Sequence, residues 1–161
     1  MKEMPTKKML IIQNLIFNLL FALVMTLVGA FAGGAGVNPG TIIQYFIGLV
    51  VVEILGFVIP ADKIAGGIGA KAFPGKNPMQ MPQFMLPAAV LTVIFTIPMT
   101  MIMTAVGLAM APNGPGLSIF MPAFLGALPW MLLAAYICVL IFLPLSLKAS
   151  GMDKLGAPPQ N

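Results

Sequence analysis

The stretch TIIQYFIGLVVVEILGFVIP, Thr41 to Pro60, holds 20 residues and a single charged side chain, Glu53. A helix rises 1.5 Å per residue and the hydrocarbon core of a bilayer is about 30 Å thick, so about 20 apolar residues make one crossing. The segment reads as a transmembrane helix. It follows Asn38-Pro39-Gly40, a turn sequence that stops one helix and starts another.

Three further apolar runs have the same character. The first extends from Met9 to about Phe31, after Lys2, Lys7 and Lys8, and ends in Gly33, Gly34 and Gly36. Its Ala30 and Ala32 imitate a signal-peptidase site, but it is longer than the 7 to 15 residues of a signal core. The third runs from Gln83 to about Met110 and the fourth from Leu117 to about Leu147, separated by Ala111-Pro112-Asn113-Gly114-Pro115-Gly116. Both exceed one bilayer crossing, and the prolines at 87, 98, 122, 129 and 144 are candidate kinks. Trp130 lies deep in the fourth run, where it need not act as an interface anchor. Between the second and third runs, Asp62 to about Pro82 is rich in glycine, proline and lysine and reads as a loop without a core of its own.

The expected fold is all-α, an integral membrane four-helix bundle. It comprises a tail over 1–8, a hairpin over 9–61, a loop over 62–82, a second hairpin over 83–147 and a tail over 148–161. Composition agrees: 60% of the 161 residues are apolar and 7% charged, against about 25% charged in a soluble domain. The lysines give an orientation. Three precede the first helix, three lie in the central loop and Lys148 and Lys154 follow the last, whereas both hairpin turns have none. Cytoplasmic loops retain the excess of Lys and Arg, so both termini and the central loop are expected in the cytoplasm.

The halves resemble each other. A shift of 78 positions lays Phe17 on Phe95, Met25 on Met103, Thr26 on Thr104, Gly29 on Gly107, Phe46 on Phe124 and Gly48 on Gly126. Pro39-Gly40 and Pro115-Gly116 occupy the turn of each hairpin. Each copy has an even number of crossings, so this is a parallel repeat about an axis along the membrane normal.

On the Met25-Thr26 and Met103-Thr104 pairs, and on Pro60 and Pro144 closing each second helix, the segments from Phe17 to Lys63 and from Phe95 to Lys148 resemble the two-helix bacterial membrane domains of unknown function that occur singly or in tandem. The resemblance implies a multi-pass protein of a bacterial inner membrane. It assigns no activity.

Glu53 is the sharpest functional candidate, because intramembrane acids are rare and costly. It lies roughly 10 Å from Pro60 along the helix. There it could bind a cation or carry protons in a wet cleft, or hydrogen-bond a neighbouring helix. Only the first repeat has the acid, since the matching position in the second is Met131 or Ile137. Asn14 and Asn18 share a face at i, i+4 spacing, and with Gln13, Gln44 and Thr26 they could line a polar path or tie helices together. Thr100 and Thr104 form a similar pair, for which a bond to the carbonyl four residues earlier is the simple alternative. Gly29 and Gly33, and Ala123 and Ala127, have the small-residue spacing that brings membrane helices together, within a chain or between copies.

Other chemistry is excluded or poorly supplied. Histidine is absent and Cys138 is the one cysteine, so neither an internal disulfide nor a Cys/His zinc site can form. The 14 methionines serve as pliable filling and lack the clustering a copper path needs. Gly66-Gly67-Ile68-Gly69-Ala70-Lys71, followed by Gly75-Lys76, departs from a phosphate-binding loop in spacing and has Asn77 in place of the magnesium-binding hydroxyl. No metal, cofactor or nucleic-acid partner is expected, and no enzyme, because no nucleophile has a base at helical spacing. The expected function is an accessory or oligomer-forming interaction subunit of a membrane complex, in contact with lipid and with copies of itself or a larger assembly. The alternative is a small-solute, cation or proton transporter or channel using Glu53.

Overall fold

The computed structural model of the chain describes residues 6–34, 36–75, 82–111, 113–114 and 116–151. These residues form five α-helices: α1 (Lys7–Ala32), α2 (Pro39–Val58), α3 (Ala61–Ala72), α4 (Met85–Met110) and α5 (Phe120–Ser150), the last preceded by a 3-10 turn over Gly116–Ile119. No strand occurs among the described residues. α1, α2, α4 and α5 are each long and apolar enough to cross a membrane, and the chain is an all-α, multi-pass membrane protein.

Several helix ends have local causes. Thr6 Oγ1 accepts from the Met9 amide at 3.3 Å and opens α1. Asn38 caps α2 reciprocally: its Oδ1 accepts from the Gly40 amide at 2.8 Å, and its own amide donates to Thr41 Oγ1 at 3.0 Å. A side chain on Gly40 would stand 3.0 Å from that Oδ1, so the cap closes best over glycine. Gly151 ends α5 at φ 78°, a left-handed residue whose amide donates to the Leu147 and Lys148 carbonyls. Pro87 and Pro122 fall in first turns, where no helical donor is lost, whereas Pro98, Pro129 and Pro144 lie inside α4 and α5.

α1 packs on α2 and α5, and α4 packs on α2 and α5, closing a ring in the order α1, α2, α4, α5. Neighbours run antiparallel. A methyl group placed on Gly29 of α1 would stand 3.9 Å from Met131 Cε of α5, while one on Gly151, after α5, would meet Met9 Cε at 3.6 Å. Between α2 and α4, Gly48 meets Met103 and Gly107 meets Gln44 in the same sense. Both hairpin turns therefore lie at one end of the bundle, and the start of α1 and the end of α5, with α3, at the other.

Within a bilayer, apolar surface gains little by leaving lipid, so packing density and close backbone approach hold the helices together. Ala22, Ala88 and Ala135 are fully buried on three different helices, and Met25, Met99 and Met131 fill the irregular space around them. Phe17 stacks on Phe21 at 5.5 Å along α1.

One reading of the sequence needs correction here. The segment after Asp62, expected as loop, folds as α3 through Ala72. Its Gly66, Gly67 and Gly69 each cost a helix about 1 kcal/mol relative to alanine. Packing on α4 offsets this: Ile64, Ala65, Ile68 and Gly69 form one buried or half-buried face, while Lys63 and Lys71 are exposed. Lys76 and Asn77 lie outside the described residues. Trp130, eleven residues into α5, lines an open apolar recess with Val28, Phe31 and Ala32 of the last turns of α1.

Candidate functional site

The faces of α2 place Glu53. Successive residues turn by about 100°, so Thr41, Gly48 and Val52, all buried, fix the inward direction. The opposite face carries Ile43, Phe46, Val50, Ile54 and Phe57, all exposed. Gln44 points to the α4 side, where it approaches Gly107. Tyr45 points to the α1 side, its hydroxyl 3.5 Å from the Leu19 carbonyl. Glu53 falls on that α1 side too, about 60° from the middle of the outward face. It is half-buried, at the outer edge of the α1–α2 seam.

Across the seam stands Asn18. Its Nδ2 donates to Glu53 Oε1 at 2.9 Å, and Asn18 itself is 9% exposed. A carboxyl oxygen can accept this bond whether or not the group carries a proton. The amide and the acid, both singled out by the sequence, are thus brought together, and they join two helices.

The other candidates are dispersed. Asn14, one turn before Asn18, is exposed, and Gln13 is half-buried. Thr26 is buried, its Oγ1 3.5 Å from the position a methyl on Gly48 would take, so it points to the inside of α2 and away from Glu53. Gln44 faces α4, on the other flank of α2 from Glu53. A polar path along Asn14, Asn18, Gln44 and Thr26, one of the two readings the sequence allows, is therefore divided between two seams and a lipid-facing surface. Of the packing candidates, Gly29 meets α5, Gly33 is the C-cap of α1, Ala127 packs against the core and Ala123 is half-buried.

The bundle holds a second polar feature that the sequence reading caught only in part. Thr92, Thr96 and Thr100 repeat at four-residue spacing on α4, are 4%, 0% and 1% exposed, and their hydroxyls have no hydrogen-bond partner within the protein. The Thr26 hydroxyl is in the same condition. The sequence signal is an i, i+4, i+8 row of hydroxyls in an apolar run, of which the sequence reading takes in only Thr100, paired with Thr104. Gly48 and Gly107 lie on the α2–α4 seam, against the side chains of Met103 and Gln44 respectively.

Among the described residues no group of three or more Cys, Asp or Glu side chains could hold a metal ion, and Cys138 is a buried free thiol. Comparison of the chain with protein-family models, curated proteins and solved structures gives no match. These comparisons therefore give no support to the resemblance to two-helix bacterial membrane domains.

Proposed function

We propose that the chain is an interaction subunit of a bacterial inner membrane that assembles through the outward face of α2, with a second copy as its occupant. The observation that carries this reading is the position of Glu53: half-buried, at the edge of the least enclosed span. In its most apolar window α2 is 17% buried, against 28 to 33% for the other three. An acid at the centre of a transmembrane helix costs about 2.5–3.5 kcal/mol on insertion scales. Asn18 offsets part of that cost from one side, and a protein surface over Val50, Ile54 and Phe57 would shield the rest from lipid.

The lysine distribution supports an orientation with both termini in the cytoplasm. Lys7, Lys8, Lys63, Lys71 and Lys148 all lie at the end of the bundle that carries the start of α1, the end of α5 and α3. Duplication of a hairpin is supported by the ring. A two-fold axis along the bundle exchanges α1 with α4 and α2 with α5, so it pairs the α1–α5 contact with the α4–α2 contact. Gly29 and Gly107, equivalent in the repeat, each face a long side chain of the other repeat's second helix, Met131 and Gln44 respectively.

A cation or proton path through Glu53 draws less support, because Glu53 stands on the opposite flank of α2 from the seam shared with α4. The test is the mass of the complex extracted in mild detergent. A multiple of the 17.0 kDa chain is expected. A folded monomer at every protein concentration would overturn the proposal, and a stoichiometric different protein would replace the second copy as the occupant.

A further inference from the structure

Asn18 and Thr26 of α1 both reach α2, at Glu53 and beside Gly48, and they belong to one row at four-residue spacing: Asn18, Ala22, Thr26 and Ala30, buried throughout. On α2 the row Thr41, Tyr45, Leu49 and Glu53 is buried at Thr41 and half-buried beyond it. The helices are antiparallel, and the bond from Asn18 to Glu53 joins the ends of the two rows nearest α3. One step further, about 6 Å along each axis, the rows come to Asn14 and Phe57. There the seam is uncovered: Asn14 is exposed, and Phe57 is 89% exposed.

Asn14 stands at hydrocarbon depth. α1 has 26 residues and is about 39 Å long, against about 30 Å for the hydrocarbon core. Asn14 lies about 10 Å from Lys7, so it stays within that core even where the whole excess projects at the α3 end. A lysine at this depth extends its charge to the headgroups, but a carboxamide on a single methylene is too short to do so. Among the described residues its side chain has no partner. Lipid chains offer neither donor nor acceptor, and an unpaired amide in hydrocarbon is costly.

The chemistry of asparagine indicates what completes it. Its carboxamide carries both an acceptor oxygen and donor hydrogens, so two of them turned head to tail form both bonds of a reciprocal pair. A two-fold axis along the membrane normal sets each residue opposite residues of its own depth in a second copy, and a residue beside the axis meets itself. A second copy therefore brings the matching amide to the depth where it is needed.

We propose that two copies of the chain pair across the open end of the α1–α2 seam, where their Asn14 side chains exchange reciprocal hydrogen bonds and their Phe57 rings close the pair off from lipid. This rests on the assembly of copies proposed above, and it adds α1 to the contact surface of α2. Glu53, one turn deeper than Phe57, is covered by the same contact.

The experiment follows dimer dissociation of the full-length protein on dilution in mild detergent, with mass as the readout. Asn14→Leu is expected to raise the dissociation constant about tenfold, the order lost with interhelical hydrogen bonds in a membrane. Asn14→Gln, which keeps the carboxamide, should dissociate less readily than Asn14→Leu. Asn14 makes no side-chain bond within its own chain, so the monomer should unfold at the same temperature in all three proteins. In a Cys138→Ala background, Asn14→Cys should give a dimer-sized disulfide product when native membranes are oxidised. A dimer that Asn14→Leu leaves unchanged and Asn14→Cys does not crosslink would overturn the pairing and leave assembly through α2 standing. A parent that is monomeric at every concentration would overturn both. A disulfide from Asn14→Cys to a different protein would overturn the second copy as the occupant.

Discussion

Ala135→Leu will destabilise the bundle by about 3 kcal/mol, the upper end of what overpacking a filled core costs. Ala135 has no exposed surface and belongs to the same core as Ala22, Met25 and Ala88. Three added carbons have nowhere to go unless α5 moves off α1 and α4. Because lipid already surrounds these helices, separation returns no hydrophobic energy, and the packing lost is not replaced. The effect is read as a lower midpoint in a denaturing-detergent titration. Leu133→Ala, on the exposed side of the same helix turn, serves as the control and should shift the midpoint by less than about 0.5 kcal/mol. Equal effects at the two positions would mean that the ring is not closed at α5.

The seam between α1 and α2 yields the second expectation, in which a pair of substitutions is milder than one. Asn18→Leu removes the donor to Glu53 Oε1 and leaves a half-buried carboxyl facing apolar groups, at a cost of about 2–3 kcal/mol. Replacing both partners, Asn18→Leu with Glu53→Leu, should recover most of that loss, since removing both ends of a buried polar pair is nearly neutral. Glu53→Gln keeps an oxygen acceptor for Asn18 and should stay within about 0.5 kcal/mol of the parent. Denaturing-detergent titrations of these variants decide the matter. If Glu53→Gln is as damaging as Asn18→Leu, the charge itself is structural and the hydrogen bond is not what ties the seam.

Much of the fold was legible because bilayer thickness fixes helix length, and because Asn38-Pro39-Gly40 and the Pro/Gly turn before Leu117 punctuate the apolar runs. Which way each helix faces was not. A soluble helix marks its exposed side with polar residues, but around α2 the lipid side, Phe46 and Ile54, is as apolar as the interior side, Val52. The sequence could therefore identify Glu53 and Asn18 as notable without showing that they meet, or that Gln44 and Thr26 turn elsewhere. α3 was hidden for a different reason. Its glycines mimic a linker in composition, and what makes it helical is the surface of α4, which lies far along the chain. The threonine row was legible as spacing, but its lack of partners is a property of rotamers and packing that spacing does not carry.

Assembly through α2 is tested most directly by single cysteines in a Cys138→Ala background, placed at Val50, Ile54 and Phe57 of α2 and at Leu125 of α5, all exposed in the single chain. Oxidation in native membranes should give a dimer-sized band from at least one α2 position and none from Leu125. Dimers from Leu125 alone, or from no position while the protein remains folded, would contradict an interface formed by the outward face of α2.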